Sequence, residues 1–151
     1  MNHAAILETV TALGETTLLA DPAQIVDLCQ SLKQDGFVRL DTITAVDWHP
    51  REPRFEIIYH LHALGDIYKV DALGRLRVKC KVNGTNPEID SVFGVWRAAD
   101  WYEREIFDMF GIGFRNHPNL TRILMPLDWE GHPLRKDYPV HGYKYSYAKE
   151  Q

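Results

Sequence analysis

The residues best suited to chemistry crowd into one run, Trp101-Tyr102-Glu103-Arg104-Glu105-Ile106-Phe107-Asp108-Met109-Phe110. If the run is helical, Arg104 lies four residues from both Asp100 and Asp108, which makes an Asp, Arg, Asp ladder available, and Glu105 stands three before Asp108. Paired carboxylates beside aromatic rings are the raw material of general acid–base catalysis. The same pattern on an exposed helix is a solvated charged face, with ion pairs worth about 0.3 kcal/mol each. No nucleophile or metal-ligand set accompanies the carboxylates, so the acid–base reading is the weaker one.

Other candidate motifs dissolve on inspection. Gly111-Ile112-Gly113 could open a dinucleotide-binding loop, but the third glycine position holds Asn116 and the segment follows a helix pattern where a strand is required. His60 and His62 share one face of a strand pattern, with no third ligand nearby. Cys29 and Cys80 form no C-x-x-C, so they read as buried free thiols. H-E-x-x-H, G-x-S-x-G and P-loop signatures are absent from the sequence.

The elements that must position these residues belong to one globular body. The 151 residues are 45% hydrophobic and 25% charged, proportions that exclude disorder, collagen and coiled coil. No apolar run approaches the 18 or so residues of a spanning helix. The first twenty residues lack a basic region followed by an apolar one, and a cytoplasmic or already processed chain is the expectation. Net charge is −4, which argues against nucleic acid as a partner. That charge is uneven: residues 1–110 hold 11 Lys and Arg against 17 Asp and Glu, and residues 111–151 hold 6 against 4.

Along the body, residues 4–13 read as a short apolar helix and 16–20 as a β-rich run. Asp21-Pro22 supplies a cap and a first-turn proline, and Ile25, Leu28, Cys29 and Leu32 make a helical stripe before Gly36. Residues 37–48 and 55–64 read as neighbouring antiparallel strands across a proline-rich connection, and Leu76 to Val82 alternates apolar with basic, the signature of a half-buried strand. Residues 67–73 are a candidate hairpin partner for that strand through Gly74. A long helix is expected from Asn86-Pro87 to Phe110, with a break near Gly94 and Gly111 as its C′ stop. The fold class is α+β: a small antiparallel or mixed sheet with two or three helices on one face, occupying residues 1–111.

Residues 112–151 read as an extended, proline-punctuated partner-binding tail, because four of the eight prolines fall between Pro118 and Pro139. Its Arg115, His117, Arg122, Trp129, His132, Arg135, Lys136 and Tyr138 have the composition of an interface core. A body of about 110 residues offers little surface for such a strap, so docking onto a larger partner is the expectation.

The run from Glu103 to Ile112, continuing through His117-Pro118-Asn119-Leu120, Arg122-Ile123-Leu124 and Glu130-Gly131-His132-Pro133-Leu134-Arg135-Lys136-Asp137-Tyr138-Pro139, closely resembles the 30-kDa-type subunit of respiratory complex I. The resemblance implies a subunit of a proton-pumping NADH:quinone oxidoreductase that has no catalytic, cofactor or metal site of its own. FMN and Fe-S clusters would reside in partner subunits. It further implies a place in the hydrophilic arm on the cytoplasmic face of a bacterial inner membrane, with membrane association only through the complex. The partners would be chiefly the subunit-D-like (49-kDa-type) chain, with subunit-B-like and subunit-I-like chains nearby. Glu103, Arg104, Glu105, Asp108, His117, Arg122, His132, Arg135, Lys136, Asp137 and Tyr138 would be the docking residues. Thr121 stands where the family usually has a basic residue. Related subunits serve photosynthetic NDH-type complexes, F420H2 dehydrogenases and membrane-bound hydrogenases; Glu130-Gly131-His132-Pro133 looks more like the respiratory branch than the photosynthetic one.

Overall fold

A computed structural model describes residues 3–63 and 74–141. A five-stranded mixed sheet forms the centre, in the order β1 (Ile6–Ala12), β2 (Glu15–Ala20), β5 (Arg75–Val82), β4 (Phe55–His62), β3 (Arg39–Asp47). Only the β2–β5 pair is parallel. A second, two-stranded parallel sheet joins β6 (Glu88–Asp90) to β7 (Gly113–Arg115).

The alternation in β4 and β5 does what period two requires. Phe55, Ile57, Tyr59 and Leu61 with Leu76, Val78, Cys80 and Val82 are buried on one face. Helices α1 (Ile25–Gln34) and α2 (Ala99–Phe110) close that face. The Asp21 carboxylate accepts from Ala23 N–H at the head of a 3₁₀ turn, Pro22–Gln24, that leads into α1. The stripe Ile25, Leu28, Cys29 and Leu32 is buried as its spacing predicts.

Two expectations are corrected. Residues 4–13 do not form a helix: β1 and β2 make a hairpin whose two-residue turn, Leu13-Gly14, has both residues at positive φ, +52° and +78°. That geometry follows the twist of the strands, and Thr9, Val10 and Thr11 suit an extended chain. The long helix from Asn86 is replaced by β6, a bend and a shorter α2. Asn86 sits at φ +47°, and Val92 N–H donates to the Glu103 carboxylate. In a straight helix residues 92 and 103 would be about 16 Å apart along the axis, so the segment must fold back. The hairpin proposed for residues 67–73 lies outside the described residues.

Residues 112–115 are built into the body. Ile112 and Phe114 are buried, and β7 pairs with β6. The extended strap therefore runs from Asn116.

Candidate functional site

The last turn of α2 leaves carbonyls without intrahelical partners, and the strap supplies the donors. Gly111, at φ +70°, stops the helix and donates to Phe107 O at 2.9 Å. Asp108 O faces the His132 Nδ1 at 2.9 Å, Met109 O accepts from Leu134 N–H at 3.1 Å, and Phe110 O accepts from Arg135 Nε at 2.5 Å. Cationic side chains at this end also match the negative pole of the helix dipole. A Cβ on Gly111 would lie 2.5 Å from the His132 ring, so the strap and the glycine are fitted to each other.

One turn inward, the Asp108 side chain is fully buried. Its Oδ1 accepts from Arg122 Nη1 at 2.6 Å, and its Oδ2 accepts from the consecutive backbone N–H groups of Ile123, Leu124 and Met125 at 3.0, 2.8 and 2.8 Å. Burial pushes this carboxyl upward, but the three backbone donors and the guanidinium outweigh it and hold it below the usual carboxylate range.

Glu103 is the opposite case. It is fully buried, accepts from Ser91 Oγ at 2.5 Å and Val92 N–H at 2.8 Å, and has His117 as a nearby base, at 3.8 Å. Burial, reinforced by the Asp100 charge, wins over the two hydrogen bonds and raises it to about 7. The buried His117 ring ties the root of the strap here: Nε2 lies 3.3 Å from Asp100 Oδ1, and Nδ1 accepts from Asn119 N–H at 3.1 Å.

The strap has a further anchor at the β3–β4 connection. Arg54 donates to both oxygens of Asp47 at 2.9 and 2.8 Å and to both oxygens of Asp137 at 2.9 and 2.6 Å. Lys136 N–H completes Asp47 at 2.9 Å. Burial pushes Asp47 upward, yet bonds from Arg54, Lys136 and His49 hold it far below the usual range. The Arg54 bonds likewise hold Asp137 down. Arg54 and Arg135 lie 4.9 and 5.4 Å from the Phe55 ring centre. Tyr138 donates its hydroxyl to Glu130 O at 3.2 Å.

The Asp100, Arg104, Asp108 ladder is not formed. Arg104 Nε instead donates to Thr121 O at 3.1 Å, and its guanidinium covers Trp101. Glu105 faces solvent, while Glu103 and Asp108 serve separate partner sets, so no carboxylate pair for acid–base work is assembled. The body also has the surface that its size had seemed to deny the strap: Arg122, His132, Arg135 and Asp137 all dock onto their own chain. Sequence reasoning missed Asp47, Arg54 and Ser91. An Asp and an Arg flanking a proline-rich connection between two strands are a readable signal for the first two.

The outward side of the strap carries large apolar side chains among exposed polar ones such as Asp128, Glu130 and Lys136. Leu124, Leu127, Leu134 and Val140 are 61, 85, 54 and 97% exposed, and Trp101 of α2 is 61% exposed. Among the described residues no group of three His, Cys, Asp or Glu is arranged to hold a metal, and no helix is long and apolar enough to cross a membrane.

This arrangement defines a small α+β scaffold whose C-terminal strap is pinned by buried charge and carries exposed apolar side chains. The family profile described as "Respiratory-chain NADH dehydrogenase, 30 Kd subunit" matches residues 18–144, and the chain belongs to that family. It is 43% identical to the matching NADH-quinone oxidoreductase subunit of Citrifermentans bemidjiense, over 91% of this chain and 83% of the relative. The corresponding subunit of Geotalea uraniireducens is 45% identical over 91% and 81%. Among solved structures, a trypsin-resistant fragment of Nqo5 is similar with TM-score 0.65 and 30% identity, covering 73% of this chain and 86% of that one. A chain of an archaeal membrane-bound sulfane sulfur reductase, a respiratory membrane complex, gives TM-score 0.70 and 25% identity over 91% and 79%. The chain is thus a complex I-type subunit, and its homologues are subunits of NADH-quinone oxidoreductase.

Proposed function

We propose that this chain is a cofactor-free structural subunit in the hydrophilic arm of a proton-pumping NADH:quinone oxidoreductase. Electrons pass from NADH through FMN and Fe-S clusters held by other subunits to quinone, and this chain supports the geometry of that path. It sits peripherally on the cytoplasmic face of the inner membrane, attached through its partners. The principal partner is the subunit-D-like chain, with subunit-B-like and subunit-I-like chains adjoining.

The observation that carries the reading is the pinned strap. Its charged residues (Arg122, His132, Arg135, Asp137) are engaged with the body, and its leucines face outward. A strap held in place before binding loses little conformational entropy when a partner covers it, so apolar burial translates into affinity. The docking role therefore passes to Leu124, Leu127, Leu134 and Val140, while Glu103, Arg104, Asp108 and the strap cations shape the surface from within. The curated relatives named above are NADH-quinone oxidoreductase subunits, which favours the NADH branch over a hydrogenase or F420H2 dehydrogenase.

The test is copurification. A tagged chain drawn from detergent-solubilised membranes is expected to bring the D-, B- and I-like subunits, identified by mass, with NADH:quinone activity. Recovery of the chain alone, or with partners lacking an NADH-oxidising module, would overturn the assignment.

A further inference from the structure

β5 is the central strand of the five-stranded sheet, and on the face turned away from the helices it presents Arg75, Arg77, Lys79 and Lys81 in alternate positions. Four cations at steps of about 6.6 Å make a ridge roughly 20 Å long. Arg77 pairs with Glu15 at 2.7 Å, and Lys79 with Glu56 at 3.1 Å. Arg75 donates to the His62 ring at 3.1 Å, and Lys81 is exposed opposite Glu56. The ridge is flanked by two open hollows. One, of about 690 Å³, is lined by Val10 and Leu19 together with Glu8, Glu15 and Glu56; the other, of about 410 Å³, is polar, lined by His60, Thr16, Thr42 and Asp41. Beneath the ridge the sheet is a filled core, so the face is rigid.

We propose that this outer face docks an acidic protein segment of a neighbouring subunit, with carboxylates against Arg75 and Lys81 and an apolar side chain in the hollow beside Val10 and Leu19. The inference rests on the reading of the chain as a subunit of a larger complex. Charge complementarity selects the occupant. The body as a whole is acidic, with 17 Asp and Glu against 11 Lys and Arg up to residue 110, yet its central strand is uniformly basic on this face. The cations act on the neighbouring imidazoles, although the His62 ring also contacts the Asp41 carboxylate. Burial lowers His60 and His62, and Arg77 and Lys79 for the one, Arg39 and Arg75 for the other, lower them further; Glu15 opposes this at His60.

An anionic membrane fits less well, because its uniform charge would also meet Glu15 and Glu56 between the cations. A protein segment can place carboxylates selectively. An extended segment repeats every second residue at about 6.6 Å, and a helix advances about 6 Å in four residues, so either spans the ridge in register.

The test uses the assembled, detergent-solubilised complex. A zero-length carbodiimide reagent joins an amine to a carboxylate with loss of water, and so links only groups already in ion-pair contact. Cross-links from Lys79 or Lys81 to an Asp or Glu of another subunit, identified by mass, are the expected result. In parallel, the charge-reversed double variant R75E/K81E is expected to be recovered in the complex at least tenfold less than wild type at moderate salt. The neutral R75Q/K81Q variant, which avoids any folding penalty of reversal, is expected to fall between them. Wild-type recovery of both variants without any such cross-link would overturn the proposal. So would retained assembly combined with binding of the chain to vesicles containing anionic phospholipid that the two substitutions abolish. Absence of the wild-type chain from the complex would instead remove the reading on which the inference rests.

Discussion

Asp108 and Arg122 form an ion pair of 2.6 Å in which the carboxylate is fully buried, and this pair joins the last turn of α2 to the strap. A buried carboxylate is stable only when its oxygens are satisfied, and here the three consecutive backbone donors after Arg122 complete the set. The relationship is reciprocal: the strap makes its turn because the carboxylate collects its amides, and the carboxylate stays ionised because the strap turns.

Asp108→Ala removes the acceptor from four donors at once, and a loss of about 3 to 5 kcal/mol is expected, the range for breaking a buried charge pair. Urea denaturation of the purified chain measures it, and a loss below about 1 kcal/mol would show that the strap turn is held by other contacts. The linkage has a definite sign. The folded carboxyl titrates below its ordinary value, so its contribution is present above pH 4 or so and disappears as pH falls through the folded value.

Glu103 gives the opposite pH dependence. Its folded value of about 7 stands above the 4.5 of an ordinary glutamate, so the folded chain holds this proton more tightly than the unfolded one. Stability is therefore full below about pH 4.5 and declines as pH rises to 7, by roughly 3 kcal/mol for this group alone. Glu103→Gln keeps an acceptor for Val92 N–H, reverses the bond to Ser91 Oγ so that the amide donates, and abolishes the titration. Thermal melts between pH 5 and 8 should show wild type losing more stability than the variant across that interval; parallel curves would mean that Glu103 does not titrate there.

Gly111→Ala combines two penalties. The left-handed backbone at φ +70° costs an alanine about 1 to 2 kcal/mol, and the new methyl group would meet the His132 ring and the Arg135 guanidinium. Because those two side chains cap α2, the strap must shift away. Faster tryptic cleavage after Arg135 and Lys136 is expected, with the far-UV helix signal almost unchanged. A cleavage rate equal to that of wild type would show that the strap can accommodate the methyl group.

Much of the fold was legible because it depends on local period. The stripe of α1 and the alternation of β5 are properties of neighbouring residues, and each element lies where its pattern ends. β1 was not legible: its turn uses Leu13 at positive φ, outside the usual Asn-Gly vocabulary, and its Ala and Leu content imitates a helix. The stretch before α2 misled for a related reason. Ile89, Val92, Val95, Trp96 and Ala99 are spaced as on a helix and are all buried, yet Ile89 reaches the core from a strand, Val92, Val95 and Trp96 from a bend, and Ala99 alone from α2. The site shows the same division. Glu103, Asp108, Arg122, His132 and Arg135 stand out by type, but helical spacing assigned Asp108 to Arg104, four residues away. Its actual partner lies 14 residues on, across the turn that brings the strap back to the helix.

Arg54 is the residue through which the end of the strap is tied to the sheet, since one planar guanidinium holds two carboxylates, each through both of its oxygens. Arg54→Lys keeps the charge but cannot bridge Asp47 and Asp137 in this bidentate way, and Asp137→Asn leaves the Arg54–Asp47 pair intact while weakening the outer one. The two variants separate the contributions. Arg54→Lys disturbs a buried pair and is expected to lower the melting temperature clearly. In Asp137→Asn the altered side chain is 44% exposed, so the global melt should change little. Both are expected to expose the Arg135 and Lys136 bonds to trypsin several-fold faster, because the backbone amide of Lys136 is bound to Asp47 in the same cluster. If Asp137→Asn leaves cleavage unchanged while Arg54→Lys accelerates it, the strap is held by Asp47 through the Lys136 amide, and the outer ion pair is a surface contact without a retaining role.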